Sequence, residues 1–267
     1  MPINIRTQFI YTVQPGDTLY AIAARFGSEV ALIEEANALY PPITDPGLIF
    51  PGQVLVVPST SFGENHIYQT VNPGGTLFHY AQRYNTNVDL LQGINPQIGD
   101  PNYIFVNQAL LVPAFSYEVV QGDTLYAIAR RFDISLSTLL EANRERPGLS
   151  EDVIYPGFRV IVPLPSSINI VVFRPYPGTK IQEGQPLEGF ARAFEGTILY
   201  RIVDSADEIV SRETSIQTSA GAPAYGTFSK PIAFDNSPTT SRGELWVYTR
   251  SARDGSIQDL VQMPVRF

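Results

Sequence analysis

A pattern of sixteen residues recurs three times within residues 11–132, and no other feature of the chain restricts its fold as tightly. YTVQPGDTLYAIAARF begins at Tyr11, QTVNPGGTLFHYAQRY at Gln69 and YEVVQGDTLYAIARRF at Tyr117. The turn glycines are Gly16, Gly74 and Gly122, and 21 residues after each stands an asparagine: Asn37, Asn95 and Asn143. Every copy closes on an apolar run ending in proline: VLVVP to Pro58, ALLVP to Pro113 and RVIVP to Pro163. Repeats of this length are supersecondary units that bury their apolar faces by packing together.

Each copy reads as strand, helix, helix, strand. A short strand, Tyr11 to Gln14 in the first copy, runs into a Pro-Gly or Gln-Gly turn. Thr18 stands at a helix N-cap, and Leu19, Ile22, Ala23 and Phe26 follow at the spacing of one helical face. The third copy repeats this with Thr124, Leu125, Ile128, Ala129 and Phe132. Ser135 reads as a second N-cap, with Leu136, Leu139 and Leu140 turned inward, and Ser28 as its counterpart in the first copy. After the asparagine comes an irregular loop and then a second strand, Gln53 to Val57 or Phe158 to Val162. The two strands of a copy are expected to pair antiparallel, with both helices on one face.

PGDTLYAIA, the recurring asparagine and the IFPGQVLVVP ending resemble the LysM domain, a small βααβ module that binds N-acetylglucosamine-containing glycans. The likeness covers residues 10–59, 67–114 and 116–164, and is stronger in the first and third copies. It implies a shallow groove between the loop after the first strand and the loop before the last. Carried onto this chain, glycan contacts fall on Gly16, Asp17, Thr18, Leu19, Tyr20, Asn37 and Ile49 in the first repeat. In the third they fall on Gly122, Asp123, Thr124, Leu125, Tyr126, Asn143 and Ile154.

The chemistry suits a neutral sugar. Glycine lets the backbone approach closely and adopt positive φ, and tyrosine offers an apolar ring with a polar tip. Structural readings stand beside these. Thr18 and Thr124 cap helices, Asp17 and Asp123 favour a helix start through its dipole, Leu19 and Leu125 fill a core, and Asn37 and Asn143 end a helix or order a loop. The second repeat departs from the pattern. Gly75 replaces the aspartate, Phe78-His79 replaces Tyr-Ala, and Val106-Asn107-Gln108 stands where the first repeat has Pro51-Gly52-Gln53. It is expected to be the weakest binder or a spacer.

Ala114, Phe115 and Ser116 alone separate the second and third repeats, a span of about 10 Å even when extended. Those repeats must touch or nearly so. Ser59 to Ile67 forms a longer polar link between the first two, able to flex or to pack.

From Ile168 the pattern becomes alternation broken by turns. Strands are expected at 169–173, 186–194, 197–203, 209–214, 224–228, 243–249 and 261–267, which argues for a β-sandwich. FRPYPGTKI, LEGFARAFEGTILYRI, AYGTFSKPIAF and SARDGSIQDLVQMPV are similar to the immunoglobulin-like domain associated with bacterial spore germination, across residues 168–267. The resemblance implies a spore or envelope setting and brings no binding residues. Trp246, the single tryptophan, is expected in the core, and Arg174, Arg201 and Arg250 are placed to meet Glu195 or Glu244 across strands. The expected fold class is thus multidomain: three α+β LysM modules, then an all-β immunoglobulin-like sandwich.

Charge narrows the partners. The chain carries a formal −8, and residues 1–167 hold 8 Arg, no Lys and 15 acids. An acidic chain without a basic tract is a poor ligand for nucleic acid or anionic lipid. Cysteine is absent, which excludes disulfides and thiolate sites. His66 and His79 lie at the divergent repeat without partners at ligand spacing, so neither metal nor cofactor is expected. No apolar run is long enough for a transmembrane helix, and the start does not read as a secretory signal.

The resulting expectation is a non-catalytic binder of peptidoglycan, spore cortex or a chitin-like polymer at the cell wall or spore envelope. No enzymatic role is expected, since HExxH, GxSxG and Cys–His sets are missing. The alternative is a self-assembling structural subunit of a spore coat, appendage or surface layer. In it the LysM folds serve as scaffold and the sandwich meets copies of itself or an envelope protein through its edge strands.

Overall fold

The computed structural model describes every residue except 1, 5, 42, 46, 63 and 64. Two compact units emerge, residues 1–85, 95–130 and 134–163 in one, and 86–94, 131–133 and 164–267 in the other.

The first repeat contains β2 (Gln8–Thr12), α1 (Leu19–Phe26), α2 (Val30–Asn37) and β3 (Val54–Pro58), preceded by a short β1 (Ile3–Asn4). The second contains β4 (Ile67–Thr70), α3 (Leu77–Arg83), α4 (Val88–Gly93) and β5 (Ala109–Leu111). The third contains β6 (Ala114–Glu118), α5 (Leu125–Arg131), α6 (Leu136–Ala142) and β7 (Arg159–Pro163).

Helix α1 forms where the apolar spacing places it, and Leu19, Ile22, Ala23 and Phe26 are its buried residues. Its start is fixed by Thr18, whose hydroxyl accepts the Ala21 N–H at 3.1 Å, and its end by Gly27 at φ 58°. Thr76 and Thr124 cap the matching helices in the same way. Ser135 caps α6 as its position suggested, accepting from the Thr138 N–H. Ser28 does not cap α2: Glu29 occupies that position and makes no side-chain cap bond.

The strands of each repeat pair antiparallel, Gln8 opposite Pro58 and Ala114 opposite Pro163. Repeats then join through their sheets. Strand β2 runs parallel to β4, with Gln8 opposite Ile67 and Ile10 opposite Gln69, so the first two repeats share one sheet in the order β3-β2-β4-β5. Strand β1 crosses to the third repeat and pairs with β6, Ile3 opposite Tyr117. The link after β3 packs: Ser59 N–H donates to Thr7 O at 2.9 Å and Thr60 N–H to Gly27 O at 2.8 Å.

The second unit carries seven strands in a β-sandwich, each overlapping a stretch that the alternation suggested, although the expected strand 186–194 stops at Ala191 before a 3-10 turn at Phe194–Gly196 and the last strand begins at Ile257 rather than Val261. These are β8 (Ile170–Arg174), β9 (Pro186–Ala191), β10 (Thr197–Asp204), β11 (Ile209–Gln217), β12 (Gly226–Pro231), β13 (Arg242–Arg250) and β14 (Ile257–Arg266). They form a four-stranded sheet, β11-β10-β13-β14, and a three-stranded sheet, β12-β9-β8. The core between them includes Ile198, Tyr200, Ile202, Leu245 and Val247.

Trp246 corrects an expectation. It alternates away from Leu245 and Val247, is half-buried rather than core, and lies under the Arg201 guanidinium at 3.9 Å. Its indole N–H donates to Glu244 at 2.8 Å. The expected arginine pairs also shift, Arg174 to Glu188 and Arg250 to Glu213.

Candidate functional site

The loop after the first strand is built identically in the first and third repeats. Gly16 and Gly122 hold φ near +89° and +88°, and a Cβ at either would meet no atom within 4 Å. These turns therefore present bare backbone to solvent. Asp17 accepts from the Tyr11 hydroxyl at 2.6 Å and the Gln14 N–H at 2.7 Å. Asp123 does the same with Tyr117 at 2.6 Å and Val120 N–H at 3.1 Å. Burial and the adjacent Asp17 carboxylate push the Tyr11 phenol up to about 12, against the opposing pull of Arg25. The aspartates thus close the turn.

The loop before the last strand is tied to this turn at its base. Val13 N–H donates to Gln53 O, and Gly52 N–H to Val13 O. Gly52 and Gly157 both adopt positive φ, at 92° and 87°. In the second repeat Asn107 takes that conformation at φ 74°, and its N–H donates to Val71 O at 2.8 Å. Asparagine tolerates this region better than other side-chain-bearing residues, so the substitution leaves the turn intact.

The missing aspartate is also replaced. Tyr80 stands where the other repeats have Ile22 and Ile128, and its hydroxyl accepts the Asn72 backbone N–H at 3.0 Å while donating to the Asn72 side-chain Oδ1. A Cβ on Gly75 would lie 2.2 Å from that hydroxyl. Glycine here makes room for the tyrosine that performs the turn-closing task.

Of the residues assigned by resemblance, Tyr20 is 79% and Tyr126 60% exposed, beside exposed Thr18 and Thr124. Leu19 and Leu125 are buried. Asn37 and Asn143 are corrected outright: both are buried, at 0% and 1% exposure, with their amides fully spent. Asn37 donates to Ile33 O and Val56 O, each at 2.7 Å, and accepts the Val56 N–H at 2.8 Å. Asn143 makes the same three bonds with Leu139 and Ile161, and Asn95 hooks Leu111 in the same manner. The asparagine pins the second strand to the end of the second helix and offers nothing to a ligand. Ile49 is half-buried against the first repeat's core.

The second loop also exposes apolar residues that the resemblance does not mark. Leu48 and Phe50 stand out in the first repeat, Tyr103, Phe105 and Val106 in the second, and Val153 in the third. Large apolar side chains ahead of the turn, beside Pro-Gly in the first and third repeats and beside Val-Asn in the second, are the signal in the sequence.

The second loops of the first and third repeats also meet. Tyr40 hydroxyl donates to Pro156 O at 3.4 Å, and Val54 N–H donates to Glu145 O at 2.9 Å.

Among the described residues no helix is long and apolar enough to cross a membrane. No three His, Cys, Asp or Glu among them gather as a metal would require.

Comparison with known proteins follows the same division. The LysM domain family matches residues 11–58, 70–113 and 117–163, and the immunoglobulin-like domain of bacterial spore germination matches 169–256. An autolysin of Enterococcus faecalis is 32% identical over 61% of this chain and 26% of its own length. The N-acetylmuramoyl-L-alanine amidase sle1 of Staphylococcus epidermidis is 30% identical over 57% of this chain and 50% of its own. The solved spore cortex-lytic enzyme SleL of Bacillus cereus is 30% identical over 40% of this chain and 22% of that one, with a TM-score of 0.29. The match thus spans from about a quarter to a half of the curated relatives. The autolysin and the amidase correct the expectation that no enzymatic role is present, since relatives of this chain carry the names of enzymes. They lend no support to a purely structural subunit or to chitin as the polymer.

Proposed function

The chain belongs to the LysM family, and from that premise we propose that it acts in the enzymatic breakdown of peptidoglycan, its repeats holding the N-acetylglucosamine-containing strand. LysM domains support peptidoglycan binding, and the spore germination domain suggests a wall or spore setting. The observation that carries the binding part of the proposal is the pairing, in the first and third repeats, of an open glycine turn with an exposed tyrosine four residues on, in the first turn of the following helix; the catalytic part rests on the likeness to the autolysin and the amidase. Bare N–H and C=O groups at Gly16 and Gly122 suit an acetamido group. The Tyr20 and Tyr126 rings suit the apolar face of a sugar, with Thr18, Thr124, Ile49 and Ile154 flanking. Phe78 lacks the polar tip, which makes the second repeat the weaker groove.

Joined repeats present their grooves at fixed spacing. Several weak sites on one polymer gain roughly 10²–10⁴ in apparent affinity when geometry permits simultaneous engagement.

The test is co-sedimentation of the full chain with purified spore cortex and vegetative peptidoglycan, followed by turbidity and release of reducing ends or free amines. Sedimentation with cleavage products supports the whole proposal. Sedimentation without products removes catalysis by this chain, and failure to sediment removes the binding claim.

A further inference from the structure

The sandwich carries a cleft of about 620 Å³ with no assigned role, within the range of ligand pockets. One wall runs from the end of β9 through Arg192, Phe194 and Glu195 to Thr197, and the other is formed by Thr249, Arg250, Gln258 and Asp259. Hydrogen bonds wire its polar groups together. Arg192 Nε donates to Asn169 Oδ1 at 2.7 Å, and Asn169 Nδ2 donates to Asp259 Oδ2 at 2.9 Å. Arg192 and Asp259, a cation and an anion, are thereby held one asparagine apart.

Arg250 is occupied, with Nε and Nη2 on Glu213 and Nη1 on Gly255 O, and serves as wall. Arg192 is freer: it stacks on Tyr225 at 4.8 Å and lies 3.8 Å from an Asp89 carboxylate that is itself 64% exposed. Glu195 and Asp259 both hold left-handed backbone, at φ 53° and 51°. Non-glycine residues adopt it uncommonly, and such conformations gather at ligand sites. Phe194, at 79% exposure, leaves its ring open at the rim.

This lining selects by charge. A polyanion meets Glu195 and Asp259, a polycation meets Arg192, and a neutral glycan uses neither. A short chain bearing both a carboxylate and an amine satisfies Arg192 on one side and Glu195 with Asp259 on the other, its aliphatic part lying against Phe194. We propose that this cleft binds the short amino- and carboxyl-bearing peptide of peptidoglycan, complementing the repeats that take the sugar. The choice of that peptide rests on the reading of the chain as a peptidoglycan protein.

The experiment titrates the full chain, by calorimetry and by amide NMR, with a synthetic stem tetrapeptide, its carboxyl-amidated form and an N-acetylglucosamine oligomer. Saturable tetrapeptide binding is expected, with shifts at Phe194–Thr197 and Thr249–Asp259. Amidation, Arg192→Gln and Glu195→Gln should each weaken it by about tenfold and leave oligomer binding unchanged. Phe194→Ala, at an exposed position, gives a third variant, whose folding is safe. Oligomer binding without tetrapeptide binding, or tetrapeptide binding indifferent to all three variants, overturns the cleft proposal alone. Binding of neither ligand overturns the peptidoglycan reading as well.

Discussion

Arg146 in the third repeat donates Nη2–H to Asn37 Oδ1 in the first at 3.0 Å, and both side chains are buried. The same guanidinium donates to Arg159 O at 2.9 Å and Ala36 O at 3.3 Å, and stacks over Phe158 at 4.4 Å. Its acceptors are carbonyl groups rather than carboxylates, and burial pulls its pKa down. Asn37 has already spent its amide on Ile33 and Val56, so one residue ties helix, strand and neighbouring repeat together. The first and third repeats, which read as separate modules, are thereby tied together.

Replacing Arg146 by Met should loosen this junction. Losing hydrogen bonds from a charged donor to buried acceptors costs about 2–3 kcal/mol, read as a lower urea midpoint for the repeats. Affinity for a long glycan should fall more than affinity for a short oligomer. Equal losses on both would show that the junction does not set groove spacing.

Asn37→Ala separates structure from binding. The change strands the Val56 N–H and carbonyl in the interior, each unsatisfied group costing about 1–3 kcal/mol. Unfolding should shift strongly, while oligomer affinity per folded molecule stays within error. A selective loss of affinity would return Asn37 to the glycan surface.

Gly75 and Tyr80 in the second repeat should be coupled. Gly75→Ala drives a Cβ against the Tyr80 hydroxyl, and overpacking of this kind costs about 1–3 kcal/mol. Tyr80→Phe in the same chain should recover part of that loss. Additive melting shifts across the double-mutant cycle would argue against the exchange of aspartate for tyrosine.

Asp204 gives the sandwich an acid limit. Its buried carboxylate accepts from Ala206 and Glu208 N–H groups and from Thr239 and Thr240. Those bonds, the Thr239 hydroxyl foremost, hold its pKa down to about 2 against 3.8 unfolded. A depressed folded pKa means the stabilisation is complete above 3.8 and is lost as pH falls through about 2. Trp246 fluorescence should report sandwich melting that weakens over that interval, and Asp204→Asn should flatten the dependence. An unchanged slope in the variant would remove Asp204 as the cause.

Much of this fold is legible in the sequence. The helical faces, threonine caps and seven sandwich strands follow from periods of 3.6 and 2 and from turn chemistry, because those signals are local. The parallel pairing of β2 with β4 and the reach of Arg146 to Asn37 are not local, and no spacing announces them. Trp246 misleads because size suggests core while its strand parity turns it outward beneath Arg201. The Asn37 assignment fails for a related reason: recurrence marks a constraint but does not distinguish a contact with ligand from one with the strand.

On the function proposed above, the first and third repeats grip an N-acetylglucosamine strand through exposed tyrosines beside open glycine turns. Calorimetric titration of the full chain with a soluble N-acetylglucosamine oligomer, beside a Tyr20→Ala/Tyr126→Ala variant, tests it most directly. Both tyrosines are exposed, so the variant should melt like the parent. Saturable heat is expected in the parent, with affinity at least about tenfold weaker in the variant. Heat of equal size in both, or none in the parent at millimolar oligomer, would contradict it.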